Sequence, residues 1–277
     1  MFIPIPGRKP ALAYLVWRFL LYHRGSFQAR LDEFFFGHGE GINQYSTLVS
    51  SYKKSDVKPD KQYSILPTIL MLLGDCRKKI VADLGCGSGF FTVPIAEQGS
   101  CVYGLDNCPT QIALANEAGQ HDGVQYYLRN IFTDKLPDVD IMVVPFVANY
   151  ARSVPILCHL LRQIYAHLAL GGRLILVVDL PNGRNHMRFG ARKTVSGKMK
   201  DETLITIELF NGTTPLCTLE SVYFTPTTIE HILGKIGFNA IQWHRPIVSE
   251  EGIRTMKPGF WDGYQDNPEL GYLTAVK

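Results

Sequence analysis

The 277-residue chain offers little that could hold a metal or a disulfide framework. Its six cysteines (Cys76, Cys86, Cys101, Cys108, Cys158 and Cys217) form no C-x-x-C pair, and no histidine cluster stands at metal-ligand spacing. The sequence therefore argues against a zinc centre and a disulfide scaffold, and reads as a reduced-thiol protein of the cytoplasm. Long apolar runs are missing too, since none reaches the roughly 18–20 residues of a membrane-spanning helix. Charge is sparse, at 19% of residues, below the usual quarter or so. The 28 Lys and Arg against 25 Asp and Glu leave only +3, which gives no electrostatic footprint for nucleic acid. There is no internal repeat and no low-complexity tract. With 46% hydrophobic residues the composition excludes disorder and allows one large domain or two small ones.

What is present falls into three stretches. Residues 1–66 are the least regular and are expected to form a helical extension or lid. After a Pro-rich start, Leu12, Leu15, Val16, Phe19 and Leu20 follow helical spacing, while Tyr14, Trp17, Leu21 and Tyr22 make that helix apolar nearly all round. The first 31 residues hold five Lys or Arg and no acid. Arg18 interrupts the apolar stretch, which fits a secretory signal poorly. Three readings stay open: a helix packed on the domain, an oligomer contact, or an interfacial membrane contact through residues 11–24. His38, in FGHGEG, has no partner at ligand spacing and reads as a loop residue.

From Gly74 onward, strands and helices alternate. IVADL, SCVYGLD, VQYYL, DIMVVPFV and RLILVVD read as buried strands, separated by FTVPIAEQ, TQIALANEAG and a long amphipathic helix over about 154–170. That rhythm implies a doubly wound parallel sheet, with ligands bound beyond the carboxyl ends of its strands. After Asp179 a polar connection leads to ETLITIELF and LCTLESVYF, an antiparallel hairpin insertion over about 183–224. A helix opened by Thr225-Pro226 and two last strands, FNAIQWH and LGYLTAVK, complete a domain over 67–277.

The sharpest signal is Asp83-Leu-Gly85-Cys-Gly87-Ser-Gly89 at the end of the first strand. Glycines there let the backbone turn tightly and approach a ligand. A dinucleotide fingerprint would want Gly at position 90, which is Phe90, and this disfavours a nicotinamide dehydrogenase. The D-x-G-x-G-x-G pattern resembles that of the class I S-adenosylmethionine-dependent methyltransferases over about residues 75–180. Asp106, ending the second strand, matches the acid that binds the cofactor ribose in that family. Leu-Ala-Leu-Gly-Gly looks like its L-x-P-G-G turn, with Leu170 in place of Pro. The resemblance implies a Rossmann-like seven-stranded sheet and S-adenosylmethionine as methyl donor, with S-adenosylhomocysteine as product. It implies cofactor contacts at Asp83, Gly85, Cys86, Gly87, Gly89, Asp106 and Asn107. Asn130, Ile131 and Phe146 complete that set. Asn130 stands where the family often carries an adenine-binding Asp, and its side-chain oxygen can accept the same bond. The segments from about Tyr45 to the C-terminus are more narrowly similar to the toxoflavin-synthase-like small-molecule methyltransferases, which tend to carry Arg near the position of Lys61.

Methyl transfer from a sulfonium needs alignment more than acid–base help, so no general base is required a priori. Tyr150 and His186 are the candidate catalytic residues. Tyr52, Asn149, Tyr150, Trp261 and Tyr264 are the candidates for contacting the acceptor, since aromatics suit a flat heterocycle or pack around a sulfonium. No metal is implied. The reading is thus an enzyme that methylates N or O of a small aromatic or heterocyclic molecule. The alternative is a binding protein on the same fold, catalytically weak and docked to a membrane through its first helix.

Overall fold

A computed structural model describes residues 45–277 apart from 119, 120 and 185. The expected lid over 1–66 is therefore seen only in its last third, and the apolar helix over 11–24 and His38 lie outside the described residues.

Helix α1 (Tyr45–Lys53) runs into a short 3-10 turn (Lys54–Val57) and a π-helical turn (Lys61–Ile65), which continues as α2 (Leu66–Leu73). The alternating core follows: β1 (Ile80–Leu84), α3 (Thr92–Ala96), β2 (Cys101–Asp106), α4 (Pro109–Glu117), β3 (Val124–Leu128), β4 (Val139–Pro145), α5 (Val154–His167) and β5 (Leu168–Asp179). Its strands are rich in β-branched residues and nearly continuous in apolar character, as expected of a sheet covered on both faces. The last elements are β6 (Ala191–Val195), β7 (Thr203–Asn211), β8 (Thr214–Tyr223), α6 (Pro226–Ile236), β9 (Asn239–His244), α7 (Glu250–Thr255) and β10 (Leu270–Val276).

Seven strands form one sheet in the order β3-β2-β1-β4-β5-β10-β9. Strands β1 to β5 pair in parallel, and β10 runs antiparallel between β5 and β9. This is the Rossmann-like sheet of the class I methyltransferase fold. On one face Ile69, Leu73, Val81, Ile95, Val143, Ile175 and Tyr272 form a closed core under α2 and α3. The connections from β1 and β4 leave in opposite directions, so the crevice between their carboxyl ends is the topological switch point.

Two expectations are modified. The insertion is three-stranded, in the order β6-β7-β8, because FGARKTV, read from the sequence as part of a polar connection, pairs along β7 from Ala191↔Leu209 to Val195↔Ile205. Strand β6 alternates buried and exposed residues and carries two charges, which masks it in sequence. Helix α5 ends at His167 rather than near Leu170, and the Gly171-Gly172 turn lies within β5 as Leu168 pairs with Val139.

Candidate active site

The glycine loop leaves β1 directly at the switch point. Gly85 and Cys86 both donate their N–H to the Leu105 carbonyl at the end of β2, at 2.7 and 3.0 Å. Gly85 has φ +74°, and a Cβ there would stand 2.3 Å from Val147 Cγ2, so only glycine lets the β1 and β4 connections touch. Gly89 (φ +87°) likewise leaves room for the Tyr126 hydroxyl beneath the loop. The fingerprint glycines thus answer two demands at once, a turn and a close approach.

Asp83 is fully buried in mid-sheet, opposite Gly104 on β2 and Val143 on β4. One carboxylate oxygen, Oδ2, accepts from Thr92 Oγ1 at 2.6 Å; the other is buried with no hydrogen-bond partner among the described residues. Burial pushes its pKa up to about 7, against the downward pull of the Thr92 hydroxyl. Asp106 closes β2. Its Oδ2 accepts from Gly87 N and its Oδ1 from Cys108 N, each at 2.9 Å, and each oxygen keeps a further lone pair. Burial raises its pKa while these backbone bonds lower it. Cys86 is buried below the loop, with its thiol pushed well up by burial. Asn107 is exposed and Ile131 buried. Asn130 Oδ1 accepts from Phe132 N at 3.0 Å, an Asx turn that leaves the oxygen a second lone pair.

Sequence reasoning passed over Gln111, on the first turn of α4. It is 2% exposed, its Oε1 is buried without a partner among the described residues, and it faces the space beside Gly87. Two orphaned buried acceptors, on Asp83 and Gln111, therefore flank one glycine loop. An isolated buried acceptor costs about 1–3 kcal/mol, so both are satisfied best by a ligand that donates hydrogen bonds there.

Beyond the loop, a cavity of about 60 Å³ opens between the sheet's carboxyl edge and the β6–β8 sheet. Tyr52, Phe146 and Tyr150 line it together with Lys58, Asp60, Lys61, Asp179 and Lys193, and Ile207, Leu209, Leu219 and Leu270 form an apolar side. Phe146 holds φ +67°, a left-handed conformation uncommon for a bulky residue, and its N–H is fixed to the Val177 carbonyl at 2.8 Å. Burial raises the Tyr52 pKa, so its phenol is a donor at neutral pH and not a base. Chain segments far apart in sequence thus meet on one cavity.

The other candidates are placed elsewhere. Asn149 is buried with both ends of its amide engaged: Nδ2 donates to Val222 O at 2.8 Å and Oδ1 accepts from Asp179 N at 2.9 Å. It ties three elements together instead of facing the cavity. Trp261 stacks on Phe189 (centroids 5.6 Å, planes 8° apart) and donates its indole N–H to Gly252 O. Tyr264 packs edge-on against both rings and is buried. His186 lies against Phe189, off the cavity wall, and burial lowers its pKa. These residues form an aromatic cluster behind the wall, because rings of this size find more contact with one another than with a small cavity.

Residues 82–176 match a family described as "Methyltransferase domain". The chain is 20% identical to an S-adenosylmethionine-dependent methyltransferase from Mesorhizobium loti, over 80% of this chain and 100% of that one, with a TM-score of 0.56, a likeness of fold. It is 26% identical over 140 residues to the ribosomal protein L11 methyltransferase of Campylobacter fetus, covering 50% of this chain and 42% of that protein. It is 29% identical over 105 residues to the ubiquinone biosynthesis O-methyltransferase of Rickettsia felis, covering 35% and 43%. The chain spans less than half the length of these curated relatives. One relative is named for a protein and the other for a quinone, so the methyltransferase domain is shared and the acceptor is not. Among the described residues no helix is long and apolar enough to cross a membrane, and no group of three or more metal-ligating side chains occurs.

Proposed function

We propose that the chain transfers a methyl group from S-adenosylmethionine to N or O of a small molecule bound in the cavity behind Phe146 and Tyr150. The observation that carries this reading is the orphaned, fully buried Asp83 oxygen beneath the glycine loop, with Asp106 and Gln111 beside it. A ligand with an ammonium group and ribose hydroxyls matches those acceptors: Asp83 favours its cationic end and Asp106 accepts from its hydroxyls. Bound S-adenosylmethionine supplies an activated methyl on its sulfonium. The chain's own part is to enclose the site, hold the acceptor in line and exclude water. Tyr52 and Tyr150, which both line the cavity, position the acceptor there. The walls are side chains of a narrow cavity, which favours a small molecule over a folded protein or nucleic acid. The similarity to the toxoflavin-synthase-like group supports the same class.

Isothermal titration of the full chain with S-adenosylmethionine tests the reading. Binding at micromolar concentration is expected, and Asp106→Ala weakens it by about tenfold or more. No heat of binding, or an unchanged affinity in Asp106→Ala, would overturn it.

A further inference from the structure

Three lysines reach the cavity from three different elements, and they are not equally partnered. Lys61 Nζ lies 2.5 Å from Asp56 and inside an aromatic cage, 5.1 Å from the Tyr52 ring and 4.5 Å from that of Phe90. Lys193 Nζ is 2.8 Å from Asp179 Oδ1 and donates to Glu269 O at 2.8 Å. Both have two good partners. Lys58 does not: its carboxylate, Asp60, stands 3.4 Å away, and Asp60 Oδ1 makes no hydrogen bond of ordinary geometry. Yet Lys58 is only 6% exposed. Its stem is held in place by Gly190, where any Cβ would come within 2.8 Å of it. An ammonium with three donors is thus buried on a cavity wall, fixed in position, and weakly compensated.

The charges facing this spot can be counted. The wall carries Lys58, Lys61 and Lys193 with Asp60 and Asp179, and Asp56 supplies a third carboxylate, so each lysine faces one carboxylate and only that of Lys58 stands as far off as 3.4 Å. Asp56 pairs with Lys61 from behind the wall, and burial raises the pKa of the nearby Glu269 carboxyl. His186, nearby, is pushed toward neutrality by burial and by Lys193. Burial, and after it the like charges of Lys61 and Lys193, lowers the Lys58 pKa despite Asp60. Ile207, Leu209 and Leu219 line the same cavity, with Ile207 in register beside Lys193, and carry nothing to satisfy a second charge.

We propose that the methyl acceptor is a small carboxylic acid, its carboxylate on Lys58 and its apolar body against Ile207, Leu209 and Leu219. This rests on the methyltransferase reading above and narrows the acceptor class. A carboxylate there faces the one lysine of the wall that lacks a close partner. It also supplies the short charge-assisted hydrogen bonds that Asp60 does not give Lys58.

The test uses the full chain saturated with S-adenosylhomocysteine and two probes of one shape, benzoate and benzamide, followed by calorimetry or ligand-observed NMR. Benzoate is expected to bind at least about tenfold more tightly than benzamide, the worth of one buried charge-assisted hydrogen bond. Lys58→Met, which keeps an apolar stem, abolishes the preference, and Lys58→Arg retains it, while S-adenosylhomocysteine affinity stays the same in both. Equal affinity for the two probes in the unmodified chain would overturn the proposal without recourse to any variant. So would failure of both to bind the loaded chain, or a benzoate preference that survives Lys58→Met. If S-adenosylhomocysteine itself does not bind, the methyltransferase reading fails first and the acceptor assignment falls with it.

Discussion

Lowering the pH from 8 to 6 should weaken S-adenosylmethionine binding about tenfold, and Asp83 should be the cause. The carboxyl is buried in mid-sheet, its Oδ1 has no partner among the described residues, and its pKa stands at about 7. A cationic ligand selects the ionised form, and the apparent affinity scales with the fraction already ionised. With that pKa, roughly nine-tenths of the protein is competent at pH 8 and roughly one-tenth at pH 6, a difference of about 1.4 kcal/mol. Calorimetry in buffers of different ionisation enthalpy should also show proton release on binding at pH 6. Asp83→Asn, whose amide oxygen can still accept from Thr92, should bind weakly with no slope over this range. The same shift bears on stability with a defined sign. A carboxyl whose folded pKa lies above its ordinary value of 3.8 favours the folded state at acid pH, and that advantage is lost as the pH rises from about 4 to about 7. Asp83→Asn avoids the loss, so without ligand its melting temperature at pH 8 should exceed that of the unmodified chain. Affinity flat between pH 8 and 6, or an equal slope in Asp83→Asn, would refute the reasoning.

Three further outcomes follow from contacts already described. Gly85→Ala, at φ +74° with its new methyl 2.3 Å from Val147, should cost about 2–4 kcal/mol in urea unfolding and weaken cofactor binding. Asn149→Ala strands a buried carbonyl and a buried N–H, and should shift the unfolding free energy by about 2–4 kcal/mol; a change below about 0.5 kcal/mol would remove its bridging role. Trp261→Ala should lower the melting temperature and leave S-adenosylhomocysteine affinity unchanged, whereas Tyr150→Ala should raise the KM for an acceptor, so a Trp261 effect on KM alone would place that ring on the acceptor after all.

The parallel sheet was legible because its signals are local: apolar strands of five to seven residues, and glycines whose spacing follows from the turn they make. Asp83 and Asp106 were legible for the same reason, each ending or closing a strand next to that turn. The cavity wall was not. Residues 53–61 (KKSDVKPDK) carry no local signal of burial, yet Lys58, Asp60 and Lys61 are each buried to more than nine-tenths. Contacts distant in sequence turn that run inward: Lys58 packs against Gly190, and Lys61 lies over the Phe90 and Phe91 rings. Asn149 and Trp261 misled in the opposite direction. Their residue types suit a ligand, but backbone groups from Val222, Asp179 and Gly252 had already claimed their polar atoms. Gln111 carried no sequence signal, because a glutamine on the first turn of a helix is ordinarily a surface residue.

The β6–β8 sheet presents its cavity side through alternate positions: Ala191 and Lys193 on one strand, Ile207 and Leu209 on the next, Leu219 on the third. The same face holds the sheet to its neighbours, since Lys193 pairs with Asp179 and Ala191, Ile207, Leu209 and Leu219 belong to a buried core, while none of the five takes part in the glycine loop. Substitutions among the five therefore reshape the cavity and load the packing of the insertion together, and loss of Lys193 strands the buried Asp179 carboxylate. Under the proposed function the insertion shapes the acceptor cavity and holds the fold at once, so a change of cavity there carries a cost in stability that a change in an exposed loop does not.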